Sequence, residues 1–403
     1  MLFRKTLIAA ILIVSLPVGM LPAASRNGEE LLEDRGGRTV VPEVRRPTPE
    51  LISSLKLPEG FKIGIFAEEL GAPRMICVGE DGTVYVTRRE AGDVIALRDI
   101  DGNGRADSRK TVVGNLPGVH GITIHGGRMY LCTARELYVA DLKGSDVGPR
   151  RKVLGGLPPG GRHPNRTIAF GPDGWLYITV GSTCNCCIEK NPESAAIIRV
   201  REDGSGRTIF ATGLRNTLGF GWHPLSREMY GMDNGSDGLG DEIPHEELNR
   251  LEEGRHYGWP FVYDMGEVIK LKTYPKGFDR KAWLARSTSP VLLYTAHTAP
   301  LQMAFYTGSQ FPEEYRNDAF VAMHGSWNRK PPAGYEVLRV KFTSDGKPME
   351  FKPFLTGFLV DKDGSPWTFG RPAGIAIGKD GSLLVGCDKT GVIYRIHYEK
   401  RPE

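Results

Sequence analysis

Short apolar runs that alternate with polar positions recur along the chain, and turn residues rather than helical spacing separate them. Thr167 to Phe170, the turn Gly171-Pro172-Asp173-Gly174 and the alternating Trp175 to Val180 read as one β-hairpin. β-Branched and aromatic residues suit a half-buried strand, while Gly, Pro and Asp suit the turn. The same order returns at Ile76 to Thr87, at Ile122 to Thr133 and at Ile375 to Val385, with less regular copies at Phe220 to Met232 and Gln302 to Met323. A further strand follows each unit, such as Asp93 to Arg98, Ala196 to Arg201 or Gly391 to Tyr398. The early turns repeat at about 45 to 50 residues, the period of a four-stranded blade. The expectation is an all-β chain folded as a six-bladed β-propeller, with loops on one face building a site over a central channel. Phe61 to Glu68 is an extra early strand, expected to pair with Gly391 to Tyr398 and lock the ring.

Composition agrees: 51 Gly and 28 Pro among 403 residues suit a turn-rich β fold. Residues 57–403 read as one domain, because each blade packs only on its neighbours and so escapes the usual size limit of a single core. Net charge is +4 with both signs dispersed, which argues against a nucleic-acid partner. Residues 1–25, with a basic start, an apolar run and small residues at the end, read as a secretory signal, which implies a periplasmic or secreted protein. The apolar run is short of the roughly 20 residues that span a bilayer, so no membrane span is expected in the mature chain. Residues 26–56, rich in charge, Gly and Pro, are expected to be a flexible lead-in.

Of six cysteines, Cys77, Cys132 and Cys387 sit singly in strands and read as buried small hydrophobes, whereas Cys184, Cys186 and Cys187 cluster behind the Thr167 to Val180 hairpin. Residue 188 is Ile, so the pattern for covalent haem attachment is absent, and no second CxxC pair accompanies the first to build a zinc site. A disulfide pinning the loop, either within Cys184 to Cys187 or as a vicinal Cys186-Cys187 bond, is the remaining expectation. The loop Asp99 to Asp107 has oxygen ligands at alternate positions, as in half an EF-hand, but Lys110 stands where the bidentate Glu belongs. It is a structural calcium loop or a polar turn.

Five blocks in order carry a resemblance: GGRHPNR from Gly160, GLRNTLGFGWHP from Gly213, DNGSDGLGDEIPHEELNRLEEGRHYGWP from Asp233, HGSWNR from His324 and GRPAGIAIGKDG from Gly370. Together they resemble the soluble pyrroloquinoline-quinone-dependent sugar dehydrogenases (glucose/sorbosone dehydrogenase-like) over about Leu57 to Tyr398. The resemblance implies oxidation of an aldose or related hydroxy-aldehyde by hydride transfer to the quinone, with electrons passing to a separate quinone or cytochrome. His163 matches the family's base, and a histidine titrates in the range that such a base needs. Arg215, Asn216 and Arg371 match cofactor contacts, Arg329 or Lys330 a cation near the quinone, and Cys187 falls near a cofactor-side glutamine. Arginine suits the cofactor's carboxylates. Calcium is implied at Asp233 to Asp241, with Gly235 and Ser236 as carbonyl donors and Asp237 and Asp241 as carboxylate ligands. Departures are Arg162 where the family has an acid and Ala373 where it has an arginine. A calcium-dependent lactonase-type hydrolase and a non-catalytic binding propeller are the alternatives.

Overall fold

The computed structural model describes residues 30–32 and 38–399, so the expected signal over 1–25 lies outside the described residues. Within them, six antiparallel sheets of four or five strands follow one another along the chain. Sheet 1 runs Ile76–Val78, Val84–Arg88, Asp93–Arg98, Ser108–Val113; sheet 2 begins Gly121–His125, Arg128–Cys132, Leu137–Lys143; sheet 3 runs Ile168–Phe170, Leu176–Val180, Ala196–Val200, Thr208–Thr212. Sheet 4 begins Thr217–Trp222, Met229–Asp233, Glu246–Leu251, and sheet 5 begins Pro300–Phe305, Ala319–Met323, Glu336–Phe342. Sheet 6 joins the two ends of the chain. Its strands Pro372–Ile377, Leu383–Cys387 and Val392–Tyr398 are completed by Phe61–Ala67, with Phe61 opposite Tyr398 and Ile65 opposite Tyr394.

The hairpin in sheet 3 forms in the register that its alternation dictates, with Ile168 opposite Ile178 and Phe170 opposite Leu176. Its turn is held by Asp173, whose carboxylate accepts from Trp175 N–H and Tyr177 O–H. The first strands of sheets 4, 5, 6, 1, 2 and 3 pack on one another in that order, and sheet 3 meets sheet 4 again, so the array closes on itself. Approach at the centre is close enough to demand glycine. A Cβ on Gly219 would lie 2.2 Å from the Leu301 carbonyl oxygen, and one on Gly374 2.5 Å from that of Arg74. Between neighbouring sheets lie separate apolar layers, and the largest, between sheets 5 and 6, sets Phe61 edge-to-face with Phe311 at 4.7 Å and Phe354 at 5.0 Å. Each such ring removes enough apolar surface from water to contribute about 1.5–3 kcal/mol.

Two regions differ from expectation. Residues 38–56, expected to be a flexible lead-in, are laid against the ring: Val40 N–H donates to the Trp327 carbonyl at 3.0 Å, and Glu43–Val44 pairs in parallel with Trp367 and Thr368. A short helix Pro49–Ser53, capped by Thr48, sets Leu51 and Ile52 on the layer between sheets 5 and 6. A few apolar side chains scattered among charges suffice to anchor it. The second difference is residues 252–291, inserted between the third and fourth strands of sheet 4. They hold a small hairpin and the helix Arg280–Arg286, whose N-cap Asp279 accepts from Lys281 and Ala282 N–H. Among the described residues, no helix is long and apolar enough to cross a membrane.

Candidate active site

The first strands all begin at one face of the ring, beside the ends of the second strands, as Thr217 opposite Asp233 and Pro372 opposite Cys387 show. Arg74, His120, Arg166, Arg215 and Arg371 each stand within two residues of the start of a first strand. Strand direction thus gathers four arginines and a histidine from five sheets.

His163 lies in the loop ahead of sheet 3, with Nδ1 2.9 Å from Ser182 Oγ and 3.0 Å from the Ser182 carbonyl. Ser182 Oγ donates its own hydrogen to the Cys184 carbonyl at 2.7 Å, so both groups facing Nδ1 are acceptors. The proton therefore sits on Nδ1, and Nε2 keeps its lone pair. Burial, with the Arg215 charge next, holds the imidazole well below its usual range, so it is neutral at pH 7. A Cβ on Gly181 would lie 2.6 Å from His163 Cβ and 2.8 Å from Asn216 Oδ1, so glycine brings these two site residues together. Asn216 Oδ1 is buried and has no hydrogen-bond partner among the described residues.

Asp233, at the end of the second strand of sheet 4, accepts from the backbone N–H groups of Arg215 (2.9 Å) and Asn216 (2.9 Å) and from Thr217 Oγ1 (2.7 Å). It fixes the Arg-Asn pair from below, and burial raises it to about 6. Arg215 Nη2 pairs with Asp237 Oδ2 at 2.8 Å, and Asp237 Oδ1 accepts from Asn328 Nδ2 at 2.7 Å. Each oxygen of the Asp237 carboxylate thus carries one hydrogen bond and keeps a further lone pair. Asp241 faces Arg38 at 4.0 Å. Gly235 and Ser236 differ: their N–H or hydroxyl groups are engaged by Glu246 and Asn185, while their carbonyls carry no hydrogen bond among the described residues.

Across the mouth runs a second network that the sequence did not announce. Arg74 Nη1 pairs with Asp388 Oδ2 at 2.7 Å, and Asp388 Oδ1 accepts from His324 Nε2 at 2.8 Å. His120, only 1% exposed, is held at about 3 by burial and Arg74, and its Nδ1 donates to the Arg166 carbonyl. Arg371 donates to the carbonyls of His324 (2.9 Å) and Gly325 (2.6 Å), and Arg166 likewise donates to carbonyls alone. Neither arginine has a carboxylate partner among the described residues. Their separation in sequence hid this assembly: Arg74 and Asp388 are 314 residues apart.

Three expected contacts fall elsewhere. Arg329 is buried and turned to Glu242, Ala296 and Pro331, which occupy its guanidinium. Lys330 beside it is exposed. Cys187 is bonded to Cys184, which leaves Cys186 free and overturns the vicinal alternative. Its sulfur is enclosed with Ala195 and Trp259. Asp99, Asp101 and Asp107 do gather within 4.8 Å, yet Asp99 and Asp107 already accept from the loop's own amides, as a polar turn would.

Below the site, Glu246 and Glu247 are raised to about 8 by burial, from an ordinary value of 4.5. The folded state thus keeps protons that the unfolded chain releases above its own pKa, so this stability is full below 4.5 and is lost as pH rises through about 8. Melting temperature is expected to fall from about pH 6 to about pH 9, and Glu247→Gln to flatten the fall. A variant that tracks wild type across that range in calorimetry would contradict the assignment.

A closed ring of antiparallel sheets gathers arginines at one face, beside a histidine anchored through Nδ1, which makes a propeller-like fold with a candidate site at its mouth. The chain belongs to the TrAA12-like family, whose model matches residues 55–399. It is 33% identical to an uncharacterized protein of Borreliella burgdorferi, over 87% of this chain and 93% of that one. It is 25% identical to the pyrroloquinoline quinone-dependent pyranose dehydrogenase of Coprinopsis cinerea, over 86% of this chain but only 55% of that relative, so it spans about half its length. The calcium structure of the Trichoderma reesei family AA12 enzyme has the same fold, with a TM-score of 0.74 at 22% identity, covering 86% of this chain and 97% of that one.

Proposed function

We propose that this chain is a pyrroloquinoline-quinone-dependent sugar dehydrogenase whose six sheets are the blades of a six-bladed propeller. The observation that carries it is the excess of arginine over carboxylate at the mouth. Arg371, partly exposed there, has only carbonyl partners. A tricarboxylate cofactor supplies the carboxylate that Arg371 lacks. It fits the site better than the calcium cage of a lactonase would, since Asp388 and Asp237 are already paired with arginines. The convergence of base and cations likewise favours an enzyme over a binding propeller.

When bound, the quinone supplies a hydride acceptor. Arg215, Asn216 and Arg371 would hold it, and the Gly235 and Ser236 carbonyls would hold Ca2+ as hard oxygen donors. His163 Nε2 takes the proton of the anomeric hydroxyl as the hydride leaves the same carbon, which turns an aldose into its lactone and leaves His163 protonated. Ser182 keeps Nδ1 protonated meanwhile, so the base cannot flip its tautomer. The substrate is an aldose or related hydroxy-aldehyde, and a separate quinone or cytochrome takes the electrons. A secretory start over residues 1–25 supports a periplasmic or secreted location.

The test is reconstitution of the purified protein with pyrroloquinoline quinone and Ca2+, followed by dye reduction with a panel of aldoses. Sugar-dependent reduction that needs both additions is expected. No reduction and no cofactor spectrum would sink the proposal.

A further inference from the structure

The Cys184–Cys187 loop carries a side chain that neither the resemblance nor the chemistry above assigns. Asn185 is 7% exposed and stands between sheet 3 and the loop 233–241 of sheet 4. Its backbone carbonyl accepts from Arg215 Nε (2.9 Å), Ser236 Oγ (3.4 Å) and Trp259 Nε1 (3.4 Å). Its side-chain oxygen accepts from Arg215 Nη2 (2.9 Å) and Asp237 N–H (2.8 Å), and its Nδ2 donates to the Asp237 carbonyl (2.9 Å). One amide thus grips the guanidinium and both backbone groups of Asp237.

The grip has a direction. In a trans peptide the carbonyl points opposite to the N–H, so holding Asp237 N–H toward Asn185 turns the Ser236 carbonyl away from it. Arg215 Nε and Nη2 are fixed by the same residue, so the cation and the carbonyl are set relative to each other. The loop that presents Asn185 is itself braced: the Cys184–Cys187 disulfide closes it, and Glu30 accepts from Asn185 N–H (3.2 Å) and Cys186 N–H (2.7 Å). No other side chain of this size does the same work. Aspartate would lose the donor to the Asp237 carbonyl and bring a second negative charge near the Asp237 carboxylate, and alanine would leave Arg215 Nη2 and Asp237 N–H short of an acceptor.

We propose that Asn185 is the positioning residue of the site, locking Arg215 and the 233–241 loop in the geometry that receives the ligand. The identity of that ligand rests on the quinoprotein proposal; the locked geometry does not.

The experiment compares full-length wild type with Asn185→Ala and Asn185→Asp by hydrogen exchange of the cofactor-free protein and by equilibrium binding of pyrroloquinoline quinone in Ca2+. In both variants exchange at amides 234–238 is expected to rise by about tenfold or more, with the other sheets unchanged. Quinone affinity is expected to weaken by about 10–100-fold, the usual loss when a supporting partner is removed. Wild-type exchange at 234–238 in a folded variant would overturn the assignment, as would a rise spread over all sheets or failure of both variants to fold, either of which would make Asn185 a packing residue. If wild type itself takes up no quinone, the quinoprotein proposal falls, and the exchange result alone decides for or against Asn185.

Discussion

Replacing His163 by glutamine is expected to lower turnover by about 10²–10⁴-fold, the contribution of a positioned general base, while quinone affinity stays within about threefold of wild type. Glutamine can still present an N–H toward Ser182, so the loop keeps its anchor, but it has no basic lone pair to take a proton. The prediction is sharp because the two ring nitrogens have separate duties: Nδ1 faces two acceptors on Ser182, and only Nε2 is left for chemistry. Steady-state kinetics beside a binding titration checks it. Loss of quinone binding with turnover preserved at saturation would make His163 a structural residue.

The second large effect is expected at Arg215. Arg215→Met removes the cation with a side chain of similar length, and leaves Asp237, 23% exposed, without its ion partner. Breaking a buried pair costs about 3–5 kcal/mol, and partial exposure of the acid sets the low end of that range, about 3 kcal/mol. The double change Arg215→Met with Asp237→Leu is expected to recover much of that stability, since no lone charge remains, yet to bind no quinone. Denaturant unfolding measures the first effect and equilibrium binding the second. Equal stability of the single and double variants would mean that the pair contributes nothing to the fold; quinone binding by the double variant would remove Arg215 from the site.

What the chain announced, it announced locally. The Gly171 to Gly174 turn and its flanking alternation form as expected because their cause lies within a dozen positions, and Phe61–Ala67 was recognisable as a strand by its own pattern. His163, Arg215, Asn216 and Arg371 do come to one face, since each precedes or adjoins a strand whose direction was legible. The parts that stayed hidden depend on distance. The Arg74–Asp388–His324 network joins residues from three sheets, and the pairing of Asp237 with Arg215 is a matter of side-chain reach across two loops. Arg329 shows the opposite error, for a cation in the right block is buried with its guanidinium on the carbonyls of Ala296 and Pro331. Residues 38–56 look polar on average, and a handful of apolar contacts decide their place. Residues 252–291 follow no repeat, so the periodicity that revealed the other strands had nothing to reveal there.

The central claim is that the cationic mouth holds pyrroloquinoline quinone beside His163. A crystal structure of the protein reconstituted with the quinone and Ca2+ tests it most directly. Density for the quinone over the channel mouth is the expected result, with its carboxylates on Arg215 and Arg371, the Ca2+ on the Gly235 and Ser236 carbonyls, and His163 Nε2 facing the open side. Quinone bound away from Arg215 and Arg371, or a mouth that stays empty in saturating quinone, would contradict it.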